Sequence, residues 1–283
     1  MATILPRLSH FVQHLCYNGE VMAEIIRTVK KKDILTSILH IGFNLVVAGG
    51  SLGLLLLFPD TPWAAIALVV VSKWRTFAVK PRFWVPNLLS NMTDFVLCAG
   101  LVILIWQAGL AHDLWLQLSL SVIYAVWLIF VKPMSKPAPV LIQAALSQFI
   151  GLLAVFTLTD TLPVPVVVLL TFIIGFAAAR HVLMLHKENQ HTLLALTWGV
   201  ILAELCFVTF HWAVVYQIGS VKIPEIAVIA MILGYVVERF YNSFRVNDGV
   251  IKFNDVIWST LFGVIFLLVV LIFFSGLFSI GGL

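Results

Sequence analysis

Residues 30–58 read KKKDILTSILHIGFNLVVAGGSLGLLLLF. Three lysines and an aspartate give way to a run from Ile34 to Phe58 that holds no Asp, Glu, Lys or Arg. A helix needs roughly 20 mostly apolar residues to cross about 30 Å of hydrocarbon, and this run is long enough. The short turn Pro59-Asp60-Thr61-Pro62 ends it, and a second apolar run begins at Trp63. Lysine-rich flank, apolar run, tiny turn, apolar run: this order sets the reading of the whole chain.

The composition extends it. Of 283 residues, 61% are hydrophobic and only 11% charged. A soluble domain carries about 25% charged residues. The mean hydropathy of +1.07 therefore reads as a chain solvated mostly by lipid. The fold class expected is all-α, a polytopic bundle of about nine spans. They run from Ile34 to Phe58, Trp63 to about Val79, Asn87 to about Ala108, and Leu114 to Val131. Five more run from Ala138 to about Leu158, Val164 to Ala179, His191 to Gln217, Ile223 to about Tyr241, and Val256 to about Phe278. Pro62, Pro137, Pro163 and Pro224 fall at span starts, where a missing N–H leaves no intrahelical bond unmade.

Basic residues orient the bundle. Arg7, Arg27, Lys30, Lys31 and Lys32 precede the first span. Lys73, Arg75, Lys80 and Arg82 sit at the second junction, Lys132 and Lys136 at the fourth, Arg180 and Lys187 at the sixth. Arg239, Arg245 and Lys252 sit at the eighth. Of 17 lysines and arginines only Lys222 falls on the other side. Short cytoplasmic loops gather Lys and Arg, which predicts a cytoplasmic N-terminus and an outer C-terminus. The same distribution explains the net charge of +4 without nucleic acid, because the charge is spread along one membrane face. The segment 1–33 carries Leu5, Leu8, Val12 and Leu15, then Met22, Ile25, Ile26 and Val29, at helical spacing. It reads as an amphipathic surface segment that lies on lipid, docks a membrane-protein partner, or packs under the membrane domain 34–283. Similar turns and span ends suggest a parallel repeat of 34–131 and 138–245.

Ionisable groups inside a membrane are costly, so they mark candidate sites. Three sets stand out. On the third span Asn87, Asn91 and Asp94 share a helical face, with Lys73 and Arg75 at matching depth on the second. They form either a polar cavity for an ion or solute, or a salt bridge that locks the hairpin. On the eighth, Tyr235, Glu238, Asn242 and Arg245 form a stripe. On the seventh, Thr197, Glu204 and His211 recur every seven residues. Glu204 is the most expensive charge of the chain unless it carries a proton. A proton-coupling role with His211 as relay stands against simple interhelical hydrogen bonding. Gly49-xxx-Gly53 and, more weakly, Ser147-xxx-Gly151 match small-residue packing motifs. Cys16, Cys98 and Cys206 lack disulfide or zinc spacing. No nucleotide, hydrolase or metal-binding motif is present, so no cofactor is expected and an enzyme finds no support.

The stretch Lys73-Trp74-Arg75-Thr76-Phe77-Ala78-Val79-Lys80-Pro81-Arg82-Phe83-Trp84, with Asn91 and Asp94 after it, resembles uncharacterised multi-spanning proteins of small-genome bacteria. That resemblance implies a bacterial inner membrane and no particular activity. The leading expectation is a small permease or channel-like protein for an ion or small solute. A structural or assembly component of a membrane complex is the second, and a lipid-acting membrane enzyme the third.

Overall fold

The computed structural model describes residues 38–134, 136–210, 215–218 and 221–274. The expected surface segment 1–33, with its partner role, and His211 lie outside the described residues. The chain divides into two compact units, Met1–Val46 and Val47–Leu283. Of the first unit the described part is 38–46, the opening turns of helix α1 (Ile38–Leu57), where His40 Nδ1 and Asn44 Nδ2 lie 3.1 Å apart.

Eight helices follow: α2 Trp63–Ser72, α3 Trp84–Leu110, α4 Leu114–Val126, α5 Pro137–Thr157, α6 Val164–Leu185, α7 His191–Phe210, α8 Glu225–Val246 and α9 Phe253–Phe274. Among the described residues, eight helices of the chain are long and apolar enough to cross a membrane; α2 is the one that is not. The prolines act as their positions suggest. Pro62, Pro163 and Pro224 are N-caps, and Pro137 opens α5.

The second span departs from expectation. A continuous helix to about Val79 is replaced by ten residues of α2, about 15 Å long. Lys73 ends it, and 3-10 turns at Trp74–Thr76 and Pro81–Phe83 carry the chain on to α3. The physical reason is the ammonium of Lys73, which turns inward to Asp94 where a regular helix would leave it among apolar neighbours. Irregular backbone at this depth needs partners of its own. The indole N–H of Trp84 supplies some, donating to the carbonyls of Phe77 and Val79 at 3.0 Å.

The seventh span is shorter than expected. α7 is described from His191 to Phe210, and by Val215 the chain is extended: Val215–Ile218 pairs antiparallel with Val221–Pro224, Val215 opposite Pro224 and Ile218 opposite Val221. β-branched residues on both strands favour this hairpin over helix. At the other end of the bundle α6 runs past Ala179 to Leu185, because Arg180 is carried inside the helix.

Two main apolar clusters make the interior. One joins α1 through α4 around Val69, Leu101, Ile105 and Tyr124. The other joins α5 through α8 around Leu152, Val167, Leu202 and Ala227. α3 and α5 meet between them at Gly100, where an added Cβ would lie 3.1 Å from the Ile150 carbonyl. Hydroxyls tie the same layer: Ser147 donates to the Thr93 carbonyl at 2.8 Å and Thr93 to that of Ala177 at 3.1 Å. Deeper in the second half, Gln148 donates to the Ala230 carbonyl at 2.9 Å and accepts from the Trp198 indole at 2.9 Å. Such bonds hold helices together where lipid removes the hydrophobic drive to associate.

Candidate functional site: a carboxylate between two lysines

Asp94 lies ten residues into α3, about 15 Å along it from Trp84. Its Oδ2 pairs with Lys73 Nζ, and with Lys132 Nζ at 3.0 Å. Its Oδ1 accepts from the Trp127 indole at 3.3 Å and from the Cys98 thiol at 3.4 Å. Lys73 Nζ also reaches Cys98 Sγ at 3.7 Å and lies 5.8 Å from the centre of the Phe95 ring.

Three elements build this cluster. The break after α2 delivers Lys73. One turn of α3 sets Cys98 four residues beyond Asp94. The π-helical turn Trp127–Val131 that ends α4 swings Trp127 onto the carboxylate and leads directly into Lys132. An inserted residue in a helical turn re-aims the side chains after it, and such turns recur at functional sites. Beside the cluster, Gln143 of α5 donates to the carbonyls of Val131 at 2.6 Å and Met134 at 3.0 Å. Its Oε1 lies 3.1 Å from His181 Nε2 of α6.

Two ammonium groups face one carboxylate, so the cluster carries a net charge of +1. Lys73 is buried, with 5% of its side chain exposed, whereas Lys132 keeps 32% exposed. The cluster is thus closed on the α2 side and open on the Lys132 side. One residue before His181, Arg180 is 8% exposed and its Nε has no hydrogen-bond partner among the described residues. Among the described residues both ion pairs belong to Asp94, and Arg180 is in neither.

Not all the expected residues gather here. Lys73 takes the Asp94 pair and Arg75 stays exposed. Asn87 and Asn91 are half-buried, but Asn91 donates to the Asn87 backbone carbonyl at 2.8 Å and not to Asp94. Glu238 and Asn242 are half-buried on α8, which packs mainly on α9 and α5, and neither is among the hydrogen-bond or ion-pair partners of Asp94. Glu204 is exposed on the outside of α7, and Thr197, also exposed, donates to its own turn at Leu193 at 3.1 Å. The members that sequence reasoning missed are Lys132, Trp127 and Cys98. The i+4 spacing of Cys98 from Asp94 was a usable signal. For Trp127 and Lys132 none existed, because the π-helical turn shifts their facing.

A second polar contact closes the turn between α6 and α7. Lys187 takes a left-handed φ of 54°, and Glu188 N–H donates to the Leu183 carbonyl at 3.1 Å, an αL helix stop. The Glu188 carboxylate then accepts from Tyr241 of α8 and, at 3.3 Å, from the Gln190 N–H. The Tyr241 hydrogen bond, helped by Gln190, holds the Glu188 carboxyl below its ordinary 4.5. Because the folded carboxyl is depressed, its contribution is complete above 4.5 and is lost as pH falls through the lower folded value. Tyr241→Phe is expected to move the Glu188 titration back up toward 4.5, read by carboxyl NMR. An unchanged midpoint would show that the phenol is not what holds it.

No family model, curated protein or solved structure matches this chain.

Proposed function

We propose that this integral membrane protein is a small permease or channel-like protein for an anionic small solute, bound at the Lys73–Asp94–Lys132 cluster. The observation that carries the reading is the surplus positive charge of that cluster inside a membrane domain. A buried charge without full compensation is expensive, and a visiting anion would supply what one carboxylate cannot. Asp94 is then the resident counter-ion. The solute competes with it for Lys132, the exposed and movable partner, while Lys73 forms the fixed wall. Arg180 adds a second buried cation near the same end. By the positive-inside rule this end faces the cytoplasm, so the solute is met or released there. Proton coupling through Glu204 is not part of the proposal, because that residue stands apart from the cluster.

The test uses purified full-length protein in liposomes under a potassium chloride gradient, then a potassium phosphate gradient. The expected result is a reversal potential on the anion side, and a flux that falls about tenfold in Lys132→Ala and is kept by Lys132→Arg. Lys132 is one-third exposed, so its loss leaves the fold in place. Cation selectivity, no flux with either anion, or normal flux in Lys132→Ala would end the proposal and leave the cluster as a structural ion pair.

A further inference from the structure

We propose that Gln143, its amide set by His181, is the positioning residue that holds Lys132 against Asp94. This role rests on the solute reading for its consequence, because Lys132 is the partner for which the solute competes.

The hydrogen bonds around Gln143 leave its amide one orientation. Gln143 lies in the second turn of α5 and is 6% exposed. Its Nε2 is 2.6 Å from the Val131 carbonyl and 3.0 Å from that of Met134. Carbonyls only accept, so the two N–H groups of the amide face them and both are used. Oε1 then faces His181 Nε2 at 3.1 Å, and it too only accepts. The neutral His181 ring therefore carries its proton on Nε2. α5 supplies the amide, α6 sets its direction, and the chain leaving α4 supplies the carbonyls.

Those two carbonyls bracket Lys132. Val131 closes the π-helical turn, and Met134 follows Lys132 by two residues. The chain turns tightly between them. Lys132 N–H donates to the Trp127 carbonyl at 2.9 Å, and Met134 N–H to that of Val131 at 3.1 Å. Lys132 has helical backbone, with φ of -55° and ψ of -42°. Pro133 comes next, and a residue before proline prefers extended backbone, because the proline ring crowds the helical region. Local sequence thus favours an extended Lys132, and the Gln143 amide grips the chain on both sides of it in the helical form. A side chain leaves helical and extended backbone in different directions. The held form is the one that aims Nζ at Asp94 Oδ2, 3.0 Å away.

Elsewhere in the bundle, buried hydroxyls and amides join helix to helix, as Ser147 does to Thr93 and Gln148 to Ala230. Gln143 instead spends both donors on the turn that carries a site lysine. The Lys132 side chain can then leave Asp94 for an anion while its backbone stays in place, and it returns to the same position. Without the amide, the one-third-exposed ammonium moves toward water.

The experiment uses full-length protein in detergent. A water-soluble amine-reactive label is applied briefly, and its incorporation at Lys132 and at the exposed Lys80 is read by peptide mass spectrometry. Gln143→Leu is expected to raise Lys132 labelling about threefold and to leave Lys80 unchanged. His181→Leu is expected to raise it as well, while His181→Gln, which keeps an N–H donor, keeps the native rate. In the native chain, nitrogen NMR of isotope-labelled histidine is expected to show His181 with its proton on Nε2 and a bare Nδ1, the signals being those lost in His181→Gln. In liposomes Gln143→Leu is expected to raise KM for the anion about threefold with kcat nearly kept. Unchanged Lys132 labelling in Gln143→Leu, a rise shared by Lys80 in both leucine variants, or a His181 proton on Nδ1 would each overturn the positioning role. The tautomer is read on the native chain, so the test stays decisive even where Gln143→Leu fails to fold. Labelling does not involve transport: a Lys132 response beside absent native anion flux removes the solute reading and supports the positioning, and unchanged labelling beside normal flux does the reverse.

Discussion

Replacing Asp94 with asparagine is expected to cost about 3–5 kcal/mol of stability. The side chain keeps its size, so packing is not the issue. What disappears is the charge that Lys73 and Lys132 share. Lys132 can swing toward water, because a third of its side chain is already exposed. Lys73 cannot: it is 5% exposed, and its other neighbours are the Cys98 sulfur and the Phe95 ring. The cost is therefore that of one stranded buried ammonium, and it should depend on Lys73. Adding Lys73→Met to Asp94→Asn is expected to recover most of the loss, since the double variant leaves no ammonium buried without its counter-charge. Thermal unfolding in detergent, followed by circular dichroism across the two single variants and the double, measures the coupling. Additive losses would mean that the two residues do not act as a pair.

The second large effect is expected at Gly199. A Cβ there would lie 3.0 Å from the Phe172 carbonyl oxygen and 3.0 Å from two atoms of its ring. The ring could rotate away; the carbonyl oxygen belongs to α6 backbone and could not move without moving the helix. Gly199→Leu must therefore separate α6 from α7, the most extensive helix contact of the bundle. Overpacking of this kind costs about 1–3 kcal/mol, and the backbone contact puts Gly199 at the upper end. Gly53→Leu is the matched control, because nothing lies within 4 Å of a Cβ at Gly53. Equal unfolding temperatures for the two variants would contradict the close approach of α6 and α7.

Those two glycines show what a linear motif can and cannot say. Gly49-xxx-Gly53 is the better match to a helix-packing motif, yet added Cβ atoms at both positions meet nothing within 4 Å. The weaker Ser147-xxx-Gly151 is the one in use. Ser147 is fully buried, and a Cβ at Gly151 would fall 2.6 Å from Val96 Cγ1. Spacing shows that small residues share a face. Whether another helix lies against that face depends on the packing of the rest of the bundle.

The carboxylates divide in the same way. Asp94 and Glu204 look alike in sequence, each a single acid well inside an apolar run. Asp94 points into the bundle and finds Lys73 at the depth expected from counting residues along the two spans. Glu204 points out of it.

From its sequence alone this chain is legible as a lipid-solvated helical bundle. Hydropathy and charge are properties of each residue, and they add along the chain without reference to neighbours in space. The length of α2, the hairpin after α7, the partners of Asp94 and the open side of α7 required the tertiary structure. Each depends on rotation about a helix axis, and a single π-helical turn or an early helix stop changes that rotation without leaving a mark on composition or hydropathy.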